Sequence, residues 1–121
     1  ILKPEDIIEA RKVVQQVYLD ENIEKYIVDI VHATRFAELC GLEHLKDMIS
    51  FGGSPRASIN LALAAKAYAF IEGKGYVVPE HVRAIAMDVL RHRIGLSYEA
   101  EANNMTTEEI INEILNSVEV P

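Results

Sequence analysis

Ile23, Tyr26, Ile27, Ile30, Val31, Thr34 and Ala37 recur at intervals of three and four residues. That spacing places all seven on one face of a helix with 3.6 residues per turn, and a strand cannot present them to one side. The same period dominates the rest of the chain, and two-residue alternation is nearly absent, so the sequence specifies an all-α fold. A small bundle of about five helices is expected. Half of the 121 residues are hydrophobic, enough to bury a core in one domain spanning residues 1–121.

Pro4 followed by Glu5 and Asp6 marks the start of a first helix, whose stripe would be Ile7, Ala10, Val14 and Val17. Asp20 is suited to cap the second helix, which should run to Gly41. Residues 41–50 suggest a short helical turn or a mobile connection. Between Arg56 and Glu72 the only charge is Lys66, and apolar residues occupy more than one face, as in a buried central helix. Gly73 or Gly75 would end it. The segment Tyr76–Val78 could form a short strand, and His92–Ser97 a second, giving a minor two-stranded element. Pro79 and Glu80 open the next helix, with Val82, Ile85, Ala86 and Val89 inward. Thr106 with Glu109 fits a capping box before the last stripe, Ile110, Ile111, Ile114, Leu115 and Val118.

The net charge of -7 is unevenly spread: residues 1–50 carry -4, residues 51–98 carry +3 and residues 99–121 carry -6. An acidic chain without a basic helix is poorly suited to nucleic acid, whose affinity depends on cations neutralising phosphates. A small anion at one spot is still allowed. No apolar run approaches the ~20 residues of a membrane span, and no secretory signal is evident, so a cytoplasmic location is expected. His32, His44, His81 and His92 lack metal-ligand spacing, and the lone Cys40 has no CxxC partner, so no metal site is expected. The stretch Glu72–Gly75 fails the phosphate-loop pattern, because Tyr68 stands where a glycine is needed and Gly75 where a Ser or Thr is needed.

One short stretch resists a purely structural reading. In Gly52-Gly53-Ser54-Pro55-Arg56, Ser54 has the character of an N-cap, Pro55 of the first helical residue and Arg56 of the second. A cation there opposes the helix dipole at a cost of about 0.3–1 kcal/mol. Arg56 could simply reach solvent or a neighbouring acid. Alternatively, first-turn N–H groups and the guanidinium fork could share an anion, which would turn the dipole penalty into cooperation. The two glycines would then let a ligand or another domain approach closely.

The segment from Gly52 to Leu96 resembles the C-terminal lid of MoxR-type AAA+ ATPases, with its GSPRA start, small-residue-rich helix, "YVVP" step and "LRHR" segment in that order. The similarity continues through Val17–Arg35 before it and Glu109–Pro121 after it. The resemblance implies that Arg56 is the sensor-2 arginine, a catalytic residue reaching the γ-phosphate of ATP, and that Ser54, Pro55 and Arg56 together are nucleotide-binding. It further implies that an α/β ATPase core, holding Mg2+ and the Walker motifs this chain lacks, precedes residue 1. The 121 residues alone would then neither hydrolyse ATP nor hold it tightly. Partners implied in the same way are that core, neighbouring subunits of a homohexameric ring and, often, von Willebrand factor A-domain proteins in chaperone-like remodelling. A different class of function, a free-standing acidic helical module that binds a basic protein, is the alternative.

Overall fold

The computed structural model describes residues 3–121, and six helices and one two-stranded sheet form around a continuous apolar core. Helix α1 (Pro4–Gln15) begins where the Lys3 N–H donates to Asp6 Oδ2 at 3.1 Å. None of its residues is buried. Of the expected stripe, Ala10 and Val14 are half-buried, Ile7 is exposed, and Val17 is buried only after the helix has ended. The stripe is real, but among the described residues only α3 (Pro55–Ile71) lies along it.

Helix α2 (Glu21–Arg35) starts as the cap predicts, with Asp20 Oδ2 accepting from the Asn22 N–H at 2.9 Å. Its stripe Ile23, Tyr26, Ile27, Ile30, Val31 and Thr34 is buried. It stops six residues before Gly41, because Phe36 leaves helical geometry at φ -132° and ψ 54°. A 3-10 turn over Ala37–Cys40 follows, and Gly41 closes it in the left-handed region at φ 77°. The next segment is no mobile connection: Leu42 and Leu45 are buried around a second 3-10 turn, Glu43–Leu45.

The small sheet corrects the expected pairing. Strand β1 (Ile49–Phe51) runs antiparallel to β2 (Gly95–Leu96), with Ile49 opposite Leu96 and Phe51 opposite Gly95. Tyr76 instead makes a single parallel bridge to Tyr18, through Tyr18 N–H to Gly75 O at 2.9 Å and Val77 N–H to Tyr18 O at 2.9 Å. Thus the segment preceding α3 is stitched to the segment following α4 (Pro79–Leu90), and the turn between these helices is stitched to the α1–α2 junction.

Helix α3 is buried on one side only. Ala57, Leu61, Ala65 and Ala69, spaced by four, form the ridge that faces the core, and three alanines on it let α4 and α2 lie close. Ile59, Leu63, Phe70 and Ile71 are exposed, so the expectation of an all-round buried helix fails within this chain. In α4, Val82 and Ala86 are buried and Ile85 and Val89 half-buried; His81 Nδ1 accepts from the Val78 N–H at 3.0 Å, tightening the helix start. The short α5 (Tyr98–Ala102), absent from the sequence reading, is capped by Ser97 and anchored by the buried Ala100. Helix α6 (Thr107–Ser117) buries Ile110, Ile111, Ile114 and Leu115, leaving Val118 half-buried. Arg83 fixes its end, donating to Leu115 O at 2.8 Å and to Asn116 Oδ1 at 3.2 Å.

Candidate functional site

The turn that carries Arg56 is held by a threonine and two glycines. Thr34, 1% exposed near the end of α2, donates its hydroxyl to Val31 O at 2.6 Å and accepts from the Gly53 N–H at 2.8 Å. Both polar needs of that hydroxyl are met inside the fold, and the buried Gly53 amide is satisfied at the same time. Gly52 passes so close that a Cβ there would stand 2.3 Å from Thr34 O and 2.8 Å from Arg35 N. A Cβ on Gly53 would lie 3.2 Å from the Ala57 Cβ. The glycines therefore serve an approach different from the one expected. It is the backbone of α2, within this chain, that comes close, and the pair acts as a fixed seat.

From that seat Ser54 enters as N-cap at φ -79° and ψ 169°, with Pro55 at the first helical position. The Ser54 hydroxyl makes no capping hydrogen bond, unlike Asp20, Ser97 and Thr106 at their helices. Its carbonyl accepts from the Ala57 N–H at 2.8 Å. The first turn of α3 contains no acidic residue, so nothing in it offsets the positive end of the dipole. Arg56 is exposed, and among the described residues it forms neither an ion pair nor a side-chain hydrogen bond. Arg91 meets Glu108 at 3.0 Å, Arg83 holds α6, and Arg35 lies 5.5 Å from the Phe36 ring centroid, whereas Arg11 and Arg93, like Arg56, form no ion pair among the described residues.

Ser54, Pro55 and Arg56 are thus contiguous on one exposed helix start, which carries a guanidinium fork without a partner among the described residues, a hydroxyl that caps nothing and the Arg56 N–H, since Pro55 has no N–H and that of Ala57 is taken by Ser54 O. That donor set suits the oxygens of a phosphate. Thr34 was legible in the sequence only as a member of an apolar stripe. A hydroxyl among isoleucines and valines was the available sign that it holds something.

The family model for AAA lid domains matches residues 43–114, which include β1, the Arg56 turn, α3, α4 and most of α6. The chain belongs to the AAA lid domain family. The lid is of the MoxR type: it is 36% identical over 121 residues to chaperone MoxR1 of Mycobacterium tuberculosis, covering all of this chain and 32% of that protein. YeaC of Bacillus subtilis is 37% identical over the same length, with 35% of it covered. A crystal structure from Cytophaga hutchinsonii, of a protein proposed to be an ATPase, superposes with a TM-score of 0.94 at 44% identity, covering 97% of the lid and 36% of that chain. The lid therefore spans about a third of the length of these relatives.

Proposed function

We propose that this lid senses the nucleotide held by an α/β ATPase core preceding residue 1, with Arg56 as the sensor-2 arginine at the γ-phosphate of ATP. The observation that carries the reading is the unpartnered Arg56 on a rigidly seated helix start. A cation opposing the helix dipole gains a reason to be there when a phosphate joins both. Bound ATP with its Mg2+, the latter held by the core, supplies the phosphoryl group. Arg56 contributes charge and orientation to that group, and Ser54 a hydroxyl at its edge. Arginine suits the task because its planar fork is always charged and can grip two oxygens at once.

Nucleotide state would thereby be converted into lid position within a ring of subunits, in the chaperone-like manner suggested by the name of the mycobacterial relative. The lid itself provides no phosphate loop and, among the described residues, no group of three acidic, histidine or cysteine side chains able to hold a metal ion. Among the described residues no helix is long and apolar enough to cross a membrane. In the full-length protein, Arg56→Ala should lower ATP turnover about 10–100-fold, the loss of one charge-assisted contact of about 1.5–3 kcal/mol. In the isolated lid the same change should leave stability within about 0.5 kcal/mol, as for an exposed side chain without partners. Turnover equal to wild type in Arg56→Ala would refute the sensor role.

A further inference from the structure

Position 34 lies where a hydrocarbon would be expected. It belongs to the buried stripe of α2, with Ile27, Ile30 and Val31, and is 1% exposed. Valine has nearly the shape of threonine and would pack there without taking a hydroxyl out of water, a transfer that costs free energy unless the group is hydrogen-bonded. The hydroxyl present instead is fully committed. Its one proton goes to Val31 O at 2.6 Å, which fixes its rotation and leaves a lone pair facing the Gly53 N–H at 2.8 Å. Among the described residues no other side chain hydrogen-bonds to Gly52, Gly53 or Ser54.

The steps from Gly53 to Arg56 have little freedom. Gly52 is wedged against the α2 backbone, the Pro55 ring fixes its own φ, and the Ser54 carbonyl is held by the Ala57 N–H at 2.8 Å. The place from which the Arg56 side chain departs is thereby set by α2, through the Gly53 amide. Resting on the reading of Arg56 as the contact to the γ-phosphate, we propose that Thr34 is a positioning residue for ATP hydrolysis. Its hydroxyl fixes the Gly53 amide and, through it, the alignment of the Arg56 guanidinium on the phosphoryl group. Charge alone tolerates a drifting side chain, but aligning a planar fork on oxygens does not, and a misplacement of about 1 Å can cost about 100-fold in rate. Thr34 touches no nucleotide and acts only through Arg56, so the loss on removing its hydroxyl is bounded by the loss on removing Arg56.

ATP turnover by the full-length protein tests this in four variants, Thr34→Val, Thr34→Ser, Arg56→Ala and Thr34→Val with Arg56→Ala, at a temperature where circular dichroism shows each folded. Thr34→Val should lower kcat about 3–10-fold, and Thr34→Ser, which keeps the hydroxyl, should stay within about twofold of wild type. The double variant should turn over no more slowly than Arg56→Ala alone, because the threonine has nothing left to align. A threonine that only stabilised the fold would give losses that multiply. Multiplied losses, or wild-type turnover in Thr34→Val, would overturn the inference. Should Thr34→Val not fold, Gly53→Ala takes its place: its Cβ, 3.2 Å from the Ala57 Cβ and 3.4 Å from Thr34 Oγ1, displaces the turn with the threonine intact, and its loss should likewise vanish in the Arg56→Ala background. The two readings fail distinguishably. Wild-type turnover in Arg56→Ala removes the sensor and this role with it, whereas a deficient Arg56→Ala with a multiplied or absent effect at position 34 removes only the role of Thr34.

Discussion

Gly52→Ala should be among the most damaging single-methyl additions available in this lid. The new Cβ would stand 2.3 Å from Thr34 O, 2.5 Å from Thr34 C and 2.8 Å from Arg35 N, all of them backbone atoms in α2 that no rotamer change can move aside. Relief requires the β1–α3 connection to retreat from α2. That retreat stretches the 2.8 Å bond from the Gly53 N–H to Thr34 Oγ1, in a place where water does not reach. Overpacking of this kind costs about 1–3 kcal/mol, and leaving a buried donor unpaired about 1–3 kcal/mol more. The sum, about 2–6 kcal/mol, is a large part of the roughly 5–15 kcal/mol that holds a domain folded. For a domain of this size the melting temperature should fall by roughly 10 °C or more. Thermal and urea unfolding followed by circular dichroism measure it directly. Thr34→Val tests the cause, since it removes the acceptor without the clash and should cost about 1–3 kcal/mol alone but much less in the Gly52→Ala background. A Gly52→Ala protein within about 0.5 kcal/mol of wild type, or strict additivity of the two changes, would show that the seat is not rigid.

The helix caps predict a contrast. Thr106→Ala should cost about 1 kcal/mol, because Thr106 Oγ1 accepts from the Glu109 N–H at 3.2 Å, whereas Ser54→Ala should cost well under that, since its hydroxyl caps nothing; paired urea titrations compare them. Tyr68 gives a pH signature: its hydrogen bond to Glu72, and then the negative charge of that carboxylate, hold the phenol above its ordinary value of about 10. A raised value in the folded state means that whatever stability the pair contributes is intact below the unfolded value and is lost as pH rises through the folded one. Ultraviolet titration of Glu72→Gln should show Tyr68 ionising at lower pH than in wild type, and an unchanged titration would contradict the pairing.

Periodicity was sufficient for α2, α4 and α6, whose stripes are long and whose partners lie inside the chain. It misled on α3 and α1 for a single physical reason: a pattern records how much apolar surface a helix offers, without recording which molecule covers it. Ile59 and Leu63 point away from a core that the lid alone supplies. The end of α2 was missed because Phe36 carries no punctuating glycine or proline, and α5 because five residues hold too few turns to show a period. The strand partner of β2 was misassigned to Tyr76–Val78, since β propensity marks an extended segment and leaves its neighbour unspecified. At the site, Ser54, Pro55 and Arg56 were legible from capping chemistry. The role of Gly52 and Gly53 was not, because a glycine that permits close approach looks the same in sequence whichever backbone approaches it.

The two backbone stitches give α3 a mechanical character. At 17 residues and about 1.5 Å per residue the helix is a beam some 25 Å long, and it is clamped near both ends. One clamp is the β1–β2 pair beside Arg56, and the other is the Tyr18–Tyr76 bridge beyond Ile71. The beam cannot slide along its axis without breaking main-chain hydrogen bonds at one end or the other. A displacement of the start of α3 along its axis should therefore strain the Tyr18–Tyr76 bridge at the junction of α1 and α2 as well as the β1–β2 pair.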